Sequence, residues 1–289
     1  MSRTSIATLL SRGGPLVLPG VHDALSAKLA AEAGFEALFV SGFGLSATLL
    51  GEPDFGLLGA AEVLDAARRI CTAVTLPVIV DIDTGYGNAF NVERTVDSLI
   101  RAGAAGCFLE DQVWPKRCGH MEKKRVVEMD EYLPKLRAAV KTRGSAPFHV
   151  TARTDARAAH GLDEAIRRAK LCAENGADAI FVEAPQSVEE MQAIRDALPR
   201  EVVLVANMVE AGKTPLRSAE ALAASGFQIA LWPVTGLLAT AKALREVFGV
   251  LKRDGTSEAA AERLLRFGEM NEITGLPGRY AREKEWLGE

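Results

Sequence analysis

The chain has no apolar run approaching the roughly 18 residues of a membrane span, and residues 1–12 lack the apolar core and cleavage site of a secretory signal. Both absences point to the cytoplasm. Cysteine is scarce: Cys71, Cys107, Cys118 and Cys172 form no paired motif, which fits reduced thiols better than disulfides or a zinc site. Three of them sit in apolar or helical settings, and only Cys118 stands among charges. There is no long run of one charge sign, and 34 basic residues face 38 acidic ones. A nucleic-acid surface and a basic membrane patch are therefore not expected. No GxGxxG follows the first apolar run, which argues against a dinucleotide-binding open sheet.

What is present is a repeated pattern. The 289 residues are 48% hydrophobic and 25% charged, the composition of a globular protein. Short apolar runs at 16–18, 37–40, 78–80, 107–109, 148–151, 179–182, 202–205 and 229–231 read as buried strands. Between them, 24–33, 60–73, 92–102, 131–140, 162–174, 188–198 and 219–224 carry apolar residues at helical spacing. Gly34, Gly103, Gly176 and Gly226 each precede an apolar run and end the helix before it. Apolar strands alternating with helices imply a parallel sheet covered on its outer face. Eight such units are the content of an α/β fold, a (β/α)8 TIM barrel, with the doubly wound sheet as runner-up. The expected division is a barrel over 1–255 and a C-terminal helical extension over 256–289, where Ala259, Ala260, Leu264, Leu265 and Phe267 form an apolar face needing a partner.

Barrel enzymes place their chemistry where strands end. The polar residues there are His22 and Asp23, Ser41, Asp81 and Asp83, Glu110 and Asp111, Arg153 and Asp155, Glu183, Asn207 and Thr235. Asp81 and Asp83 are two apart on extended chain and point the same way. Two neighbouring buried anions need compensation, either from a divalent cation joined by Glu110 or from an Arg153 network. Arg153 offers a bidentate fork for a substrate carboxylate, and Asn207 both donor and acceptor. Glu183 orients a neighbour or pairs with Arg153. The turn Ser41-Gly42-Phe43-Gly44 is either an oxyanion cradle of backbone N–H groups or a tight βα turn. His22, His149 and His160 read as structural or surface residues, and Lys213 as a solvent-facing loop residue.

The stretch 110–120, EDQVWPKRCGH, is the most distinctive. Its Lys116, Arg117 and His120 supply positive charge that favours the Cys118 thiolate. Together with Ser41-Gly42, Pro53-Asp54-Phe55-Gly56, Asp81-Ile82-Asp83-Thr84-Gly85-Tyr86-Gly87-Asn88, Ala152-Arg153-Thr154-Asp155, Glu183-Ala184, Ala206-Asn207-Met208 and Gly212-Lys213-Thr214-Pro215, it resembles the isocitrate lyase and phosphoenolpyruvate mutase superfamily, in order and spacing, over nearly the whole chain. The likeness is to its lyase branch, near the methylisocitrate and 2-alkylmalate (2,3-dimethylmalate) lyases.

The resemblance implies a magnesium site, with manganese as substitute: Asp81 as direct ligand, Asp83 and Glu110 in its water shell and Asp54 further out. It implies that Lys116 to His120 form a gating loop with Cys118 as general acid, and that Ser41, Gly42, Phe43, Gly119, Arg153 and Asn207 hold a 2-oxo acid. Phe39 stands where methylisocitrate lyases often have tyrosine, which leaves the base open. Trp114, Met121, Phe181 and Trp232-Pro233-Val234 form the wall for a substituent, and Pro233 points to an alkyl-bearing substrate. The expected reaction is cleavage of a 2-hydroxy di- or tricarboxylate to a 2-oxo acid and a carboxylate. Two alternatives stand beside it: a carboxyvinyl-carboxyphosphonate phosphorylmutase, and a silent barrel that binds a dicarboxylate. The superfamily exchanges helices between subunits, which implies a homotetramer of helix-swapped dimers; otherwise the C-terminal helix folds back on its own barrel. The partner expected is a small-molecule carboxylate, with no nucleic acid and no membrane.

Overall fold

The computed structural model describes residues 3–119 and 123–288. Eight parallel strands close a barrel in sequence order: β1 Leu16–Val21, β2 Leu38–Val40, β3 Val78–Asp81, β4 Gly106–Glu110, β5 His149–Thr154, β6 Ala179–Val182, β7 Val203–Asn207 and β8 Ile229–Trp232. Every apolar run expected to be a strand is one. Several strands extend further, because β3, β4, β5 and β7 run on into Asp81, Glu110, Thr154 and Asn207. A backbone ladder needs no apolar side chain, so a reading based on apolar runs stops short of the barrel mouth. The register sets Glu110 beside Arg153 and Arg153 beside Phe181.

Two apolar clusters follow from the alternation of side chains along the strands. The inner one holds Leu16, Leu18, Phe39, Ile79, Phe108, Phe181, Val205, Ile229 and Leu231. Phe39, Phe108 and Phe181 come from alternate strands and pack ring to ring at 4.8 and 5.7 Å, one interior layer of the barrel type. The outer cluster lies between the sheet and the helices. These helices are α1 Ile6–Leu10, α2 Ala24–Glu32, α3 Gly42–Leu45, α4 Ala60–Ala73, α5 Ala89–Arg101, α6 Met129–Arg143, α7 Ala156–His160, α8 Leu162–Glu174, α9 Val188–Asp196 and α10 Ala219–Ala224.

The short α1 lay outside the expected pattern. Its Ser5 hydroxyl accepts from the Thr8 N–H at 3.1 Å, a helix cap, and its Ile6 and Leu9 join the inner cluster. Arg3 ties the segment down through the carbonyls of Gly103, Cys71 and Val74. Ile6 is 1% exposed. Ile6→Ala is expected to cost about 2–5 kcal/mol, read as a lowered urea midpoint at unchanged slope.

His149 opens β5 on the side of the barrel away from the strand ends that carry the carboxylates. It is buried, and its Nε2 has no hydrogen-bond partner among the described residues. Burial lowers its pKa from 6.5 to about 4. The unfolded chain therefore takes up the proton first, so this contribution is complete above about 6.5 and is lost as pH falls toward about 4. The full loss is about 3 kcal/mol at ~1.4 kcal/mol per pH unit. His149→Gln is expected to flatten the fall of the urea midpoint between pH 6.5 and 4.

The chain divides into two compact units, Met1–Thr235 and Gly236–Glu289. The sequence places the boundary at 255/256, with the last barrel helix inside the first domain; the structure sets that helix, α11 Thr235–Asp254, with the second unit save its first residue. None of its residues is buried, and Leu238, Leu244, Phe248 and Leu251 are exposed. The second unit continues through a 3-10 turn, Glu258–Arg263, into α12 Phe267–Thr274 and α13 Leu276–Leu287.

Candidate active site

The carboxyl ends of the strands gather most of the residues singled out in the sequence. At the end of β3, the Asp81 Oδ1 accepts the Asp83 N–H at 3.1 Å, and Asp83 is held at φ 49°. Lys116 reaches into this cluster: its buried ammonium lies 2.6 Å from Asp54 Oδ2 and 2.8 Å from Asp83 Oδ1. Burial opposes that charge, yet Asp83 and Asp54 hold its pKa well above the ordinary lysine range. Lys116 thus binds the acidic cluster from within, a role more specific than the loop cation expected beside Cys118. Burial pushes Asp83 up to about 7 despite Lys116, and pushes Glu110 well above the carboxylate range despite Arg153.

Gly42 packs directly over this cluster. A Cβ there would stand 3.2 Å from Asp81 Oδ2, 3.3 Å from Asp83 Oδ1 and 3.4 Å from Lys116 Nζ. The Ser41 hydroxyl caps α3, accepting the Gly44 N–H at 3.3 Å, so the tight-turn reading of this segment holds for the serine side chain. Phe43 is half-buried in the same turn.

Arg153 is the second centre. Its guanidinium lies 3.3 Å from Glu110, 2.9 Å from Asp155 and 3.1 Å from Glu183, and stacks 5.3 Å above the Phe181 ring. Asn207 donates to both oxygens of Glu183 at 3.4 Å. The expected Glu183–Arg153 pair is therefore present, and Arg153 also neutralises Glu110. Burial would raise the pKa of Asp155, but Arg153 and Lys124 override it and hold it far below the usual range.

The Cys118 arm enters between these centres. The Cys118 N–H donates to the Asp54 carbonyl at 3.2 Å, and the thiol residue is half-buried while Cys71, Cys107 and Cys172 are buried. Gln112 clamps the preceding residue, donating to the Arg117 carbonyl at 2.8 Å and accepting its N–H at 3.0 Å. Gly119 lies against Glu183 and Arg153: a Cβ there would be 2.2 Å from Glu183 Oε2. His120 and Met121 lie outside the described residues.

Two of the expected wall residues have defined surroundings. Trp114 meets Tyr86 edge-on at 5.8 Å and, with Phe90 and Lys135, lines a cavity of about 910 Å³ beside α5 and α6. Pro233 is buried, and its carbonyl presses on Gly20 so closely that a Cβ at that glycine would fall 1.9 Å from it.

Among the described residues no group of three His, Cys, Asp or Glu side chains forms a ready metal cage. Lys116 occupies the Asp54–Asp83 side of the cluster. The donor set nevertheless fits a hard cation that keeps most of its waters. Glu110 Oε1 is buried and takes part in no hydrogen bond among the described residues, while Glu110 Oε2 and Asp83 Oδ1 are met only by the cations of Arg153 and Lys116; a buried acceptor such as Oε1 ordinarily has a partner.

The network behind the site was not legible in advance. Asp111 accepts from Thr154 Oγ1 at 2.7 Å, from the Asp155 N–H at 2.9 Å and from Arg168 at 3.0 Å. Lys124 and Arg168 were missed altogether. A signal for Arg168 exists: it shares a buried helix face with Ala165, Ala169 and Cys172, where an unpaired charge would be costly.

The fold and this set of strand-end residues define a class, the parallel α/β barrels with a charged site at the carboxyl ends of the strands. The phosphoenolpyruvate phosphomutase family model matches residues 6–251, and the chain belongs to the phosphoenolpyruvate mutase/isocitrate lyase superfamily. It is 46% identical to the petal death protein of Dianthus caryophyllus, over 98% of this chain and 89% of that protein. It is 43% identical to the carboxyvinyl-carboxyphosphonate phosphorylmutase of Arabidopsis thaliana (98% and 84%) and 43% to the 2,3-dimethylmalate lyase of Eubacterium barkeri (93% and 92%); 2-methylisocitrate lyases are further relatives. Solved structures agree. Oxaloacetate acetylhydrolase with 3,3-difluorooxalacetate superposes with a TM-score of 0.91 at 36% identity, over 97% of this chain and 95% of that one. Phosphonopyruvate hydrolase with oxalate and Mg2+ gives 0.86 at 34%, over 96% of each.

Proposed function

We propose that this protein is a divalent-cation-dependent carbon–carbon lyase that cleaves a 2-hydroxy di- or tricarboxylate, of the 2-methylisocitrate or 2-alkylmalate type, into a 2-oxo acid such as pyruvate and a second carboxylate. The observation that carries this reading is the half-buried Cys118 on an arm seated between the Asp54–Lys116–Asp83 cluster and the Arg153–Glu183 pair. A lyase must protonate the carbanion that carbon–carbon cleavage leaves behind, and a thiol on this arm supplies that proton. A mutase that only moves a phosphoryl group needs none, whereas one acting on a carboxyphosphonate can also use the cysteine, so the substrate test below separates the two.

Asp81, with Asp83 and Glu110 through water, would hold Mg2+ or Mn2+. The ion would supply Lewis-acid polarisation of the hydroxyl and carboxylate oxygens of the half that becomes the 2-oxo acid. The Arg153 guanidinium meets a substrate carboxylate. Phe39 has no proton acceptor, so the base that takes the hydroxyl proton is another group of the site. As the carbon–carbon bond breaks, electrons pass to the departing carboxylate half, and the Cys118 Sγ–H protonates its carbon. Gly119, with no side chain, lets the arm approach Glu183 and Arg153.

The assembly belongs to the same proposal. Helix α11 carries no buried residue, and its Leu238, Leu244, Phe248 and Leu251 form an uncovered apolar stripe. A second copy exchanging this helix, in a homotetramer of swapped dimers, would cover it. Among the described residues no helix is long and apolar enough to cross a membrane, and the four free cysteines suit a reducing cytoplasm.

The test is pyruvate release from racemic 2-methylisocitrate, 2,3-dimethylmalate and a 2-alkylmalate, with Mg2+ and with chelator. Metal-dependent release from one of them supports the lyase. No 2-oxo acid from any of them sinks it, and phosphoryl rearrangement of a carboxyphosphonate substrate would put the phosphorylmutase in its place.

A further inference from the structure

Lys124 takes no part in the chemistry above, yet its side chain is fully buried. Its ammonium donates at 2.6 Å to the Gly119 carbonyl and at 2.6 Å to Asp155 Oδ1. Asp155 in turn accepts from Arg153 at both oxygens, Nε to Oδ2 at 2.9 Å and Nη2 to Oδ1 at 3.1 Å. One carboxylate therefore ties the cation that meets the substrate to the cation that holds the backbone next to Cys118. On its other side Gly119 has no free space, since a Cβ would fall 2.2 Å from Glu183 Oε2 and 2.7 Å from Arg153 Nη2. Asp155 cannot drift to follow either partner, because its N–H is bound by Asp111, itself held by Thr154 and Arg168.

We propose that Lys124 is a positioning residue: it seats the Cys118–Gly119 arm and, through Asp155, couples that seating to the orientation of Arg153. Its consequence for turnover rests on the lyase reading, but the seating itself does not. A lysine that merely neutralised Asp155 would need no bond to the Gly119 carbonyl, and its loss would change stability without moving the thiol.

The experiment compares Lys124→Met, Lys124→Arg and Gly119→Ala with the wild-type chain. The rate of iodoacetamide labelling at Cys118 is read by peptide mass, alongside kcat and KM. Lys124→Met is expected to raise labelling about tenfold, the factor for ~1.4 kcal/mol of lost local seating, and to lower kcat about 100-fold with KM within about threefold. Lys124→Arg restores part of both. Gly119→Ala displaces the arm from the opposite side, pressing on the Arg153–Glu183 pair while leaving the Lys124–Asp155 pair in place, and is expected to raise labelling to the same degree. The double variant is expected to label no faster than either single one, because both release the same contact. Should Lys124→Met fail to fold, Lys124→Arg and Gly119→Ala carry the test. Labelling within twofold of wild type in the folded variants overturns the proposal, as does a fall in kcat for Lys124→Met with labelling unchanged. If the wild-type chain cleaves none of the hydroxy acids, the lyase reading fails while the labelling still decides the seating.

Discussion

Cys118→Ser is expected to lower kcat by about 100- to 10,000-fold, the span that general acids contribute, while leaving KM and the thermal midpoint close to wild type. The serine hydroxyl matches the thiol in shape but is a far weaker acid, so protonation of the departing carbon becomes the slow step. The arm keeps contacts that do not need the thiol: the Cys118 N–H to Asp54, the Arg117 peptide to Gln112 and the Gly119 carbonyl to Lys124. Steady-state kinetics on the preferred hydroxy acid check the rate. Tritium incorporation from solvent into the carboxylate product checks the step, and should fall in parallel. A variant that turns over within threefold of wild type removes Cys118 from the chemistry and returns the phosphorylmutase to consideration. The thiol is also the accessible one, with Cys71, Cys107 and Cys172 buried, and burial pushes Cys71 up to about 11 and Cys172 up to about 12. Inactivation by a thiol reagent therefore reports on Cys118.

The barrel was legible because its period is simple. Each apolar run had to be a strand buried on both faces, seven of the eight were followed by a helix pattern, and four of those helices ended at a glycine. What the sequence did not disclose lies where a residue's role depends on distant partners. Lys116 read as a loop cation, yet the turn of chain between Gln112 and Cys118 drops its ammonium between Asp54 and Asp83. No local spacing encodes that contact, 62 positions apart. Lys124 carries no local signal in the sequence, and only the folded path sets it against Asp155. The partner of α11 is not encoded locally either: its amphipathic pattern calls for a covering surface without saying which one. By contrast Asp81, Asp83, Glu110, Arg153, Glu183 and Asn207 were all readable, because the strand period fixes which way they point and the barrel fixes that strand ends converge.

Arg153→Met is expected to cost both activity and stability. The guanidinium answers Glu110, Asp155 and Glu183 at once, and it is buried with them. Removing one partner from a buried ion cluster typically costs about 3–5 kcal/mol, because the remaining charges stay in a medium that solvates them poorly. Asp155 keeps Lys124, so the penalty falls mainly on Glu110 and Glu183. Glu110 already lies well above the carboxylate range through burial even with Arg153 beside it. Without the arginine it is driven higher still, so the folded variant holds a proton that the unfolded chain releases. The sign follows: a carboxylate whose folded pKa exceeds its unfolded one contributes stability that is lost as pH rises through the interval between them. Arg153→Met should therefore be destabilised more at pH 8 than at pH 5, with the difference seen in urea midpoints. Arg153→Lys restores the charge but not the planar fork, and is expected to recover much of the stability while kcat/KM stays at least about 100-fold down, since substrate orientation depends on the fork. Equal urea midpoints for Arg153→Met and wild type at pH 8 would mean that the cluster is already neutral without the arginine, and that Arg153 serves the substrate alone.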